Sequence, residues 1–246
     1  MIEREGFFQF ELLIRVPGLF HAVFLRTGGV SPPPYSALNV GDKVGDNPLW
    51  VAANRESIRK RCGVSQLVAA ENVHGAKVSC LTRKLPFALE RCDGLLSQEA
   101  DLALLITHAD CQALLLFDPV TRTIGNVHAG WRGNVAGIFT VAIKQMCEKY
   151  GAQASNILAC ISPSLGPCHS EFVNYKEEFP ERLWKFQVKP YYFDLWEMSR
   201  SELLKAGILP HHIEIARLCT YDHPEQFFSY RRDKVTGRNG TVIALN

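Results

Sequence analysis

The amino-acid sequence predicts a mixed α/β fold in one domain that spans residues 1–246. Short apolar segments rich in β-branched residues alternate with a few segments whose apolar residues recur at helical spacing. No internal repeat is evident, and no low-complexity linker divides the chain. Because 47% of the residues are hydrophobic and 21% are charged, one domain of this length can bury its own core.

The N-terminal part contains one predicted strand and one predicted helix. Residues 20–30 read FHAVFLRTGGV, in which aromatic and β-branched residues precede a Gly-Gly turn, as is typical of a strand. After a proline-rich loop, Asn47 and Pro48 are a good helix start, and Gly63 is a good helix end. The sequence therefore predicts a helix over residues 48–62.

The most informative segment reads LALLITHADCQALLLFDPVTRTIGNVHAGWRG. Two apolar strands, 102–106 and 113–117, flank THADC. Asp118 and Pro119 then turn the chain into a third strand over residues 123–128, which ends in glycines.

Two further helices and a hairpin complete the prediction. Residues 134–149 carry apolar residues at helical spacing and are followed by Gly151. Asp194 and Glu197 suit a capping box, and Gly207 would end the helix that they begin. The final segments FFSYRR, DKVTGRNG and TVIAL predict a β-hairpin.

Charge and hydropathy argue against nucleic-acid or membrane partners. The 27 basic and 25 acidic residues give a net charge of +2 without a long block of either sign. The most apolar stretches are far shorter than the roughly 20 residues that cross a bilayer. The first residues, MIEREGFFQFELLIRV, lack the features of a secretory signal. The eight cysteines form no Cys-x-x-Cys pair, so we expect reduced thiols in a cytoplasmic protein.

Three side chains are candidates for one site. His128 lies where a buried strand meets a glycine-containing turn. Cys111 lies in the polar segment between two apolar strands, and His74 precedes a glycine between strand-like segments. Each also has an ordinary interpretation, as a core histidine or a small buried thiol, and Cys111 could be a nucleophile instead. Their spacing matches no short zinc finger. Two imidazoles and a thiolate nevertheless suit zinc and leave a fourth position for water.

Several motifs make the chain similar to one family. It resembles the YfiH or laccase-domain family in segments spread over residues 24–238, namely RTGGVS (26–31), PYSALNVG (34–41), VHG (73–75), ADC (109–111), HAGWRG (128–133), GPC (166–168), SYRRD (229–233) and TGR (236–238). The resemblance implies a layered α/β/β/α fold with mixed sheets, and zinc bound by His74, Cys111 and His128. It also implies phosphorolysis of adenosine, inosine, guanosine or methylthioadenosine, and deamination of adenosine.

Both reactions require further groups. In deamination, zinc would lower the pKa of its water to roughly 7 for attack on C6 of adenine. Asp110 is the candidate proton shuttle, although it could equally cap a turn. Phosphorolysis needs fixed positive charge at the phosphate, for which Arg26 is the first candidate and Arg132 the second, unless Arg132 forms a surface salt bridge. Asn39 and His169 are further candidate substrate-binding residues.

Two local departures from the family pattern are present. Cys168-His169 stands where relatives more often have Cys-Cys, and His108 stands directly before ADC. Both histidines are expected to be pocket or buried polar residues rather than ligands. Arg231 and Arg232 are expected to form a solvated face, from which one of the two side chains could turn inward.

Three other functions remain open. A His-His-Cys set also describes a blue-copper centre, so the chain could be a copper-dependent polyphenol oxidase, although eight histidines without a His-x-His pair are few for several coppers. Cys111 could instead be a nucleophile activated by His128, in a hydrolase or deamidase. The chain could also be a binding module without catalysis.

Overall fold

A computed structural model describes residues 1–82 and 91–246, and its strands form two six-stranded sheets and a small hairpin. In spatial order the first sheet contains β1 (Ile2–Arg4), β2 (Phe7–Gln9), β3 (Leu19–Phe24), β14 (Asn239–Leu245), β7 (Leu102–His108) and β4 (Gln66–Ala69). The second contains β13 (Ile213–Ile215), β10 (Leu158–Ile161), β8 (Gln112–Asp118), β9 (Thr123–Ala129), β6 (Gly94–Ser97) and β5 (Val78–Leu81). The hairpin consists of β11 (Gln187–Lys189) and β12 (Tyr192–Phe193).

Both large sheets are mixed. The pairs β4·β7, β5·β6 and β10·β13 are parallel, and the other pairs in these sheets are antiparallel. The helices of the described residues are α1 (Glu11–Ile14), α2 (Pro48–Cys62), α3 (Trp131–Ala136), α4 (Ile138–Tyr150), α5 (Tyr175–Glu178), α6 (Leu195–Lys205) and α7 (Tyr230–Asp233). Short 3-10 turns occur at Ala154–Asn156, Glu181–Phe186 and Pro210–His212. None of these helices is long and apolar enough to cross a membrane.

Successive side chains of the central strands point to opposite faces of their sheet, and those on the inner faces pack the two sheets against each other. In β7, Leu104 enters the core between the sheets, whereas Leu105 faces the side that α2 covers through Ile58. In β8, Leu115 enters the same inner core, whereas Leu114 packs on the side covered by α4 and α6. The order is therefore α2, first sheet, second sheet, then α4 and α6, which confirms the predicted α/β/β/α layers.

The predicted helix over residues 48–62 is confirmed at both ends. The Asn47 side chain accepts a hydrogen bond from the Leu49 N–H, and Pro48 occupies the first turn, where its missing N–H costs nothing. Gly63 ends the helix with a φ of 72°, a left-handed conformation that favours glycine.

The single helix predicted over residues 134–149 is wrong in its boundaries. The structure has α3 and α4 instead, because Gly137 adopts a φ of 73° and directs its N–H back to Asn134. A left-handed residue cannot continue a right-handed helix, so the chain changes direction there. Gly151 ends α4 as predicted.

The predicted C-terminal hairpin is wrong. The Ser229 hydroxyl accepts a hydrogen bond from the Arg232 N–H and begins α7, so FFSYRR is not a strand. The Asn239 amide then pairs with both the N–H and the C=O of Phe228, which carries the chain into β14. Because β14 lies between β3 and β7 and is buried throughout, its apolar residues mark a central strand rather than a hairpin arm.

Two other predictions have mixed outcomes. The Asp194 carboxylate caps α6 through the Glu197 N–H, and Gly207 follows the helix with a φ of 97°, so this helix is confirmed. The strand predicted over residues 20–30 ends at Phe24. Beyond it, the backbone of Arg26 bonds to loop residues instead of a strand neighbour.

Candidate metal centre

The three side chains that the sequence singled out lie together in the structure. His74, Cys111 and His128 each offer one ligand atom, and these atoms lie within 4.8 Å of one another. His74 comes from the loop after β4, Cys111 from the turn between β7 and β8, and His128 from the end of β9. Because β8 and β9 are paired, with Ala113 opposite His128, the turn before β8 brings the thiol beside the imidazole.

A buried carboxylate, that of Asp93, holds two of these segments. The N–H groups of Val73 and His74 donate to its Oδ1 at 3.0 and 2.8 Å, and the Gly75 N–H donates to its Oδ2 at 2.8 Å. His128 Nδ1 lies 3.0 Å from the same Oδ1. Nδ1–H bonded to the carboxylate leaves Nε2 of His128 for a ligand, the usual arrangement behind a metal-binding histidine.

The sequence interpretation missed Asp93. The signal was present, because an aspartate in the apolar segment CDGLLS needs partners once that segment is buried. Burial by itself raises the pKa of Asp93, but the hydrogen bonds from His128 and from the backbone outweigh it, so the pKa is below its ordinary value. Asp93 is therefore an ionised partner of the histidine.

The negative charge of a Cys111 thiolate and the positive charge of a protonated His128 each stabilise the other. Burial by itself raises the pKa of Cys111, but the positive charge of His128 and hydrogen bonds from both histidines lower it to about 6. Burial lowers the pKa of His128, whereas the Cys111 thiolate and Asp93 raise it to about 9. The Cys111 thiolate is already in the form that binds soft or borderline cations such as zinc, whereas His128 would release its Nε2 proton when a cation binds.

Gly130 leaves the space in which these groups meet. A Cβ atom at this position would lie 3.1 Å from the Cys111 sulfur and 3.2 Å from Cδ2 of His74. Its φ of −78° is available to any residue, so lack of space rather than backbone conformation requires glycine here.

We expect Gly130→Ala to lower the zinc affinity of the protein by about 10-fold or more, because the methyl group displaces two ligands. Gly133→Ala is the matched control, since a Cβ atom there meets nothing closer than 3.4 Å. Competition with a chromophoric chelator measures the affinity, and thermal unfolding checks that both variants fold. Equal zinc affinities for the two variants would contradict this account of Gly130.

Two cavities adjoin the thiol. The first has a volume of about 320 Å³ and a largely apolar wall that includes Trp131, Phe172 and Leu195. The second has a volume of about 450 Å³, and its lining carries charged groups of both signs, from Lys43, Arg238, Asp42 and Glu71, beside the two candidate histidine ligands. Ala109, Cys111 and Tyr230 line both, so the thiol lies at the boundary between a largely apolar cavity and a cavity with charged groups of both signs, in which Lys43 is paired with Glu71.

Arg238 is the second residue that the sequence interpretation missed. The Asn39 side-chain oxygen accepts the N–H groups of Gly41 and Arg238, at 2.9 and 2.8 Å. A Cβ atom on Gly41 would lie 2.5 Å from Cγ of Arg238. Asn39 is fully buried and lines neither cavity, so its contacts fix the position of Arg238.

Arg26 and Arg132, the two arginines that the sequence proposed for phosphate binding, line neither of the cavities beside the three candidate ligands. Arg26 donates to the carbonyl groups of Ser36 and Pro224, at 3.0 and 2.9 Å, and lines neither cavity. Arg132 is exposed and lies over the Trp131 ring, 4.2 Å from its centroid. Trp131 thus separates Arg132 from the first cavity.

Asp110 lies in the turn before the thiol with a φ of 83°, a conformation uncommon for residues other than glycine. Its carboxylate accepts the Thr220 hydroxyl at 2.7 Å and the Arg231 N–H at 2.6 Å, and it lines the first cavity. These contacts fit the turn-capping role, and the residue also forms part of the wall of the first cavity.

The two extra histidines have different surroundings. His108 is buried, and its Nε2 lies 2.8 Å from the Thr241 hydroxyl. Burial lowers its pKa to about 3, so it is neutral. His169 lies outside both cavity linings, stacked on Tyr221 with 3.8 Å between the ring centroids and with Cys219 beside it.

The expected solvated face at Arg231 and Arg232 is wrong, because both guanidinium groups are held by carbonyl groups. Arg231 donates to the carbonyl of Glu171 at 3.2 Å. Arg232 donates to those of Thr220, Tyr221 and Phe227 at 2.9 Å. These bonds tie the C-terminal segment to the loops around the first cavity.

The chain is similar to known proteins in both sequence and structure. Residues 20–246 match the family described as multi-copper polyphenol oxidoreductase laccase. The chain is 35% identical to purine nucleoside phosphorylase YfiH of Shigella flexneri over 228 residues, which covers 89% of this chain and 91% of the relative. It is 32% identical to purine nucleoside phosphorylase YlmD of Bacillus subtilis (strain 168) over 238 residues, covering 89% and 85%.

Solved structures agree with this result. YlmD from Geobacillus stearothermophilus superposes with a TM-score of 0.90 at 28% identity, covering 100% of this chain and 98% of that one. The hypothetical protein YfiH of Bacillus licheniformis superposes with a TM-score of 0.87 at 29% identity, covering 93% of each chain.

Proposed function

Since the chain belongs to the multi-copper polyphenol oxidoreductase laccase family, also known from YfiH and YlmD, we propose that it is a metal-dependent purine nucleoside phosphorylase. The observation that carries this proposal is the position of Cys111, which lines both a largely apolar cavity and a second cavity that holds its two histidines and the Arg238 guanidinium. A purine base and a phosphate ion need compartments of these two kinds.

The metal that we propose is zinc, bound by His74, Cys111 and His128. Two imidazoles and one thiolate fit its preferences, and three protein ligands leave a position for a reactant. When bound, zinc would supply a Lewis acid at the boundary of the two cavities. All eight histidines lie within the described residues, and only two of them belong to this group, whereas a set of several coppers needs many more imidazoles.

The protein's own residues would bind and orient the two substrates. Trp131, Phe172 and Leu195 offer the purine an apolar wall, and Arg238 offers the phosphate positive charge. Lys43 is paired with Glu71 and would have to leave it to add to that charge. A phosphate oxygen would form a bond to C1′ while the bond from C1′ to the purine breaks. The purine leaves with the bonding electrons and takes a proton, which gives free base and ribose 1-phosphate.

Deamination of adenosine is the second reaction that we propose for this site. Water would add to C6 of the adenine, and ammonia would leave, which yields inosine. Asp110 lines the first cavity and is the proposed proton carrier, released in part from its turn contacts. Asp110→Asn should then reduce inosine formation more than phosphorolysis.

We also propose that the enzyme acts in a reducing compartment, the cytoplasm. Its eight cysteines are all free thiols. The ligand role of Cys111 requires the reduced state, which such a compartment maintains.

Product analysis tests the proposed reactions. The zinc-loaded protein is incubated with adenosine, inosine, guanosine or methylthioadenosine, with and without phosphate, and the products are separated by chromatography. Free purine together with ribose 1-phosphate should form only when phosphate is present. Free purine without phosphate would mean hydrolysis, and binding without any product would mean a non-catalytic module. Either outcome rejects the phosphorylase.

Substitution of single arginines tests the phosphate position. We expect Arg238→Gln to raise KM for phosphate by about 10- to 100-fold, because a charge-assisted hydrogen bond is worth about 1.5–3 kcal/mol. Arg122→Gln, on the turn between β8 and β9, is the control. If Arg26→Gln or Arg132→Gln raises the phosphate KM instead, the sequence-based assignment is right and the position proposed for Arg238 is wrong.

A further inference from the structure

We propose that Cys168, His169, Cys219 and Asp222 form a second metal site, for a thiophilic divalent cation of the zinc class. One ligand atom from each of these residues lies within 4.8 Å of every other. The group is separate from the first three ligands and shares none of them. It also lies outside the lining of both cavities, so it is not a part of the substrate site.

The contacts within the group are close and involve all four residues. The Cys168 sulfur lies 3.2 Å from Asp222 Oδ2, and His169 Nδ1 lies 3.4 Å from Asp222 Oδ1. The Cys219 sulfur lies 3.8 Å from His169 Nδ1. Two sulfurs, one nitrogen and one carboxylate oxygen thus face a common centre, and these are the donor types that zinc takes in tetrahedral protein sites.

Neighbouring groups orient the ligands. His169 stacks on the ring of Tyr221 with an interplanar angle of 16°, which fixes the plane of its imidazole. The Gly166 N–H donates to the Cys219 sulfur at 3.3 Å, as backbone donors do for thiolate ligands. A Cβ atom on Gly166 would lie 3.2 Å from the Cys168 sulfur, so glycine leaves room for the two sulfurs to approach.

The number of ligands separates this site from the first. Four protein ligands complete a tetrahedron, so no position is left for a reactant, and the site is structural. It joins two loops that are distant in sequence, residues 166–170 and residues 219–222. On binding, the two thiols would release their protons to solvent, and the divalent cation would offset two of the three negative charges of the thiolates and the carboxylate.

Both loops lead to the first cavity. Thr220, next to Cys219, donates its hydroxyl to Asp110. Glu171, two residues after His169, accepts Arg231 through its carbonyl and lines the cavity. A cation at the second site would therefore hold the two walls of the first cavity together without contacting substrate.

Metal analysis of single variants tests the proposal. Protein purified with zinc, under reducing conditions, should contain about two zinc ions per chain, measured by plasma mass spectrometry against protein concentration. Cys168→Ser and Cys219→Ser should each lower the content by about one ion, and so should Cys111→Ala, which acts at the other site. The double variant Cys111→Ala, Cys219→Ser should contain almost none. Cys147→Ala, on α4, is the control that keeps both ions.

Cobalt substitution gives a second readout that does not depend on activity. Cobalt added to the Cys111→Ala variant should produce the intense visible bands of a tetrahedral site with thiolate ligands, and Cys219→Ser in that background should abolish them. A zinc content of about one ion per chain that vanishes in Cys111→Ala would overturn the second site. A Cys168–Cys219 disulfide in the reduced preparation would overturn it too, since neither sulfur could then bind a cation. In either case the first site and its proposed reaction would stand.

Discussion

Cys111→Ala is expected to abolish phosphorolysis, with turnover below about 1% of wild type, and to lower zinc affinity at the first site by about 10³-fold or more. Removing a group that is hydrogen-bonded to a metal ligand lowers the metal affinity by about 10- to 100-fold, and removing the ligand itself lowers it further. The remaining imidazoles, His74 and His128, cannot hold the ion against solvent. Zinc competition assays and initial rates measure the two effects.

The same variant would also be inactive if Cys111 were a nucleophile, so metal dependence must be measured beside it. In the zinc mechanism, a chelator inactivates the wild-type protein, and added zinc restores the activity. In the thiol mechanism, activity survives the chelator, because a Cys111 thiolate next to a protonated His128 needs no ion. Cys147→Ala controls for loss of a cysteine elsewhere. Chelator-resistant turnover would reject zinc catalysis and favour the hydrolase or deamidase.

Asp93→Asn is expected to lower zinc affinity at the first site by about 10- to 100-fold and to destabilise the fold. Asparagine keeps the shape but has one acceptor oxygen, whereas Asp93 accepts hydrogen bonds from three backbone N–H groups and from His128. At least one buried donor would lose its acceptor, at a cost of about 1–3 kcal/mol, and His128 would lose its orienting charge. Zinc competition and urea unfolding measure the two consequences.

Asp118→Asn separates the two effects of that substitution. Asp118 is also fully buried, and it accepts the Val120 N–H and the Thr121 hydroxyl in the turn at the far end of β8. Its loss should lower the free energy of unfolding by a similar amount and leave zinc affinity unchanged. If both variants lose zinc affinity equally, the loss follows from stability alone, and Asp93 has no specific role toward His128.

The sequence predicted well where one local signal decides the structure. The helix over residues 48–62 begins and ends where Asn47 and Gly63 place it. Gly137 was missed because nothing in a short apolar run shows that one glycine in it will be left-handed. The C-terminal hairpin failed for a different reason, since TVIAL pairs with strands more than a hundred residues earlier in the chain, and turn residues carry no information about such pairing.

The candidate site was predicted through its chemistry rather than its geometry. His74, Cys111 and His128 stood out as an inventory of ligands and as parts of motifs, and the fold brings them together. Asp93 did not stand out, and Arg238 was noted only as the end of the TGR motif, because an aspartate and an arginine are ordinary residues until their surroundings are known. Their contacts depend on how loops from both sheets meet, which no spacing along the chain encodes.

The position of β14 also has a consequence for biosynthesis. The strand lies between β3 and β7, yet both of these leave the ribosome long before residues 239–245 are made. Until then a nascent chain exposes two apolar strand edges, which invite pairing with other chains. The first sheet can therefore be completed only after residues 239–245 have left the ribosome, so its folding follows translation of nearly the whole chain.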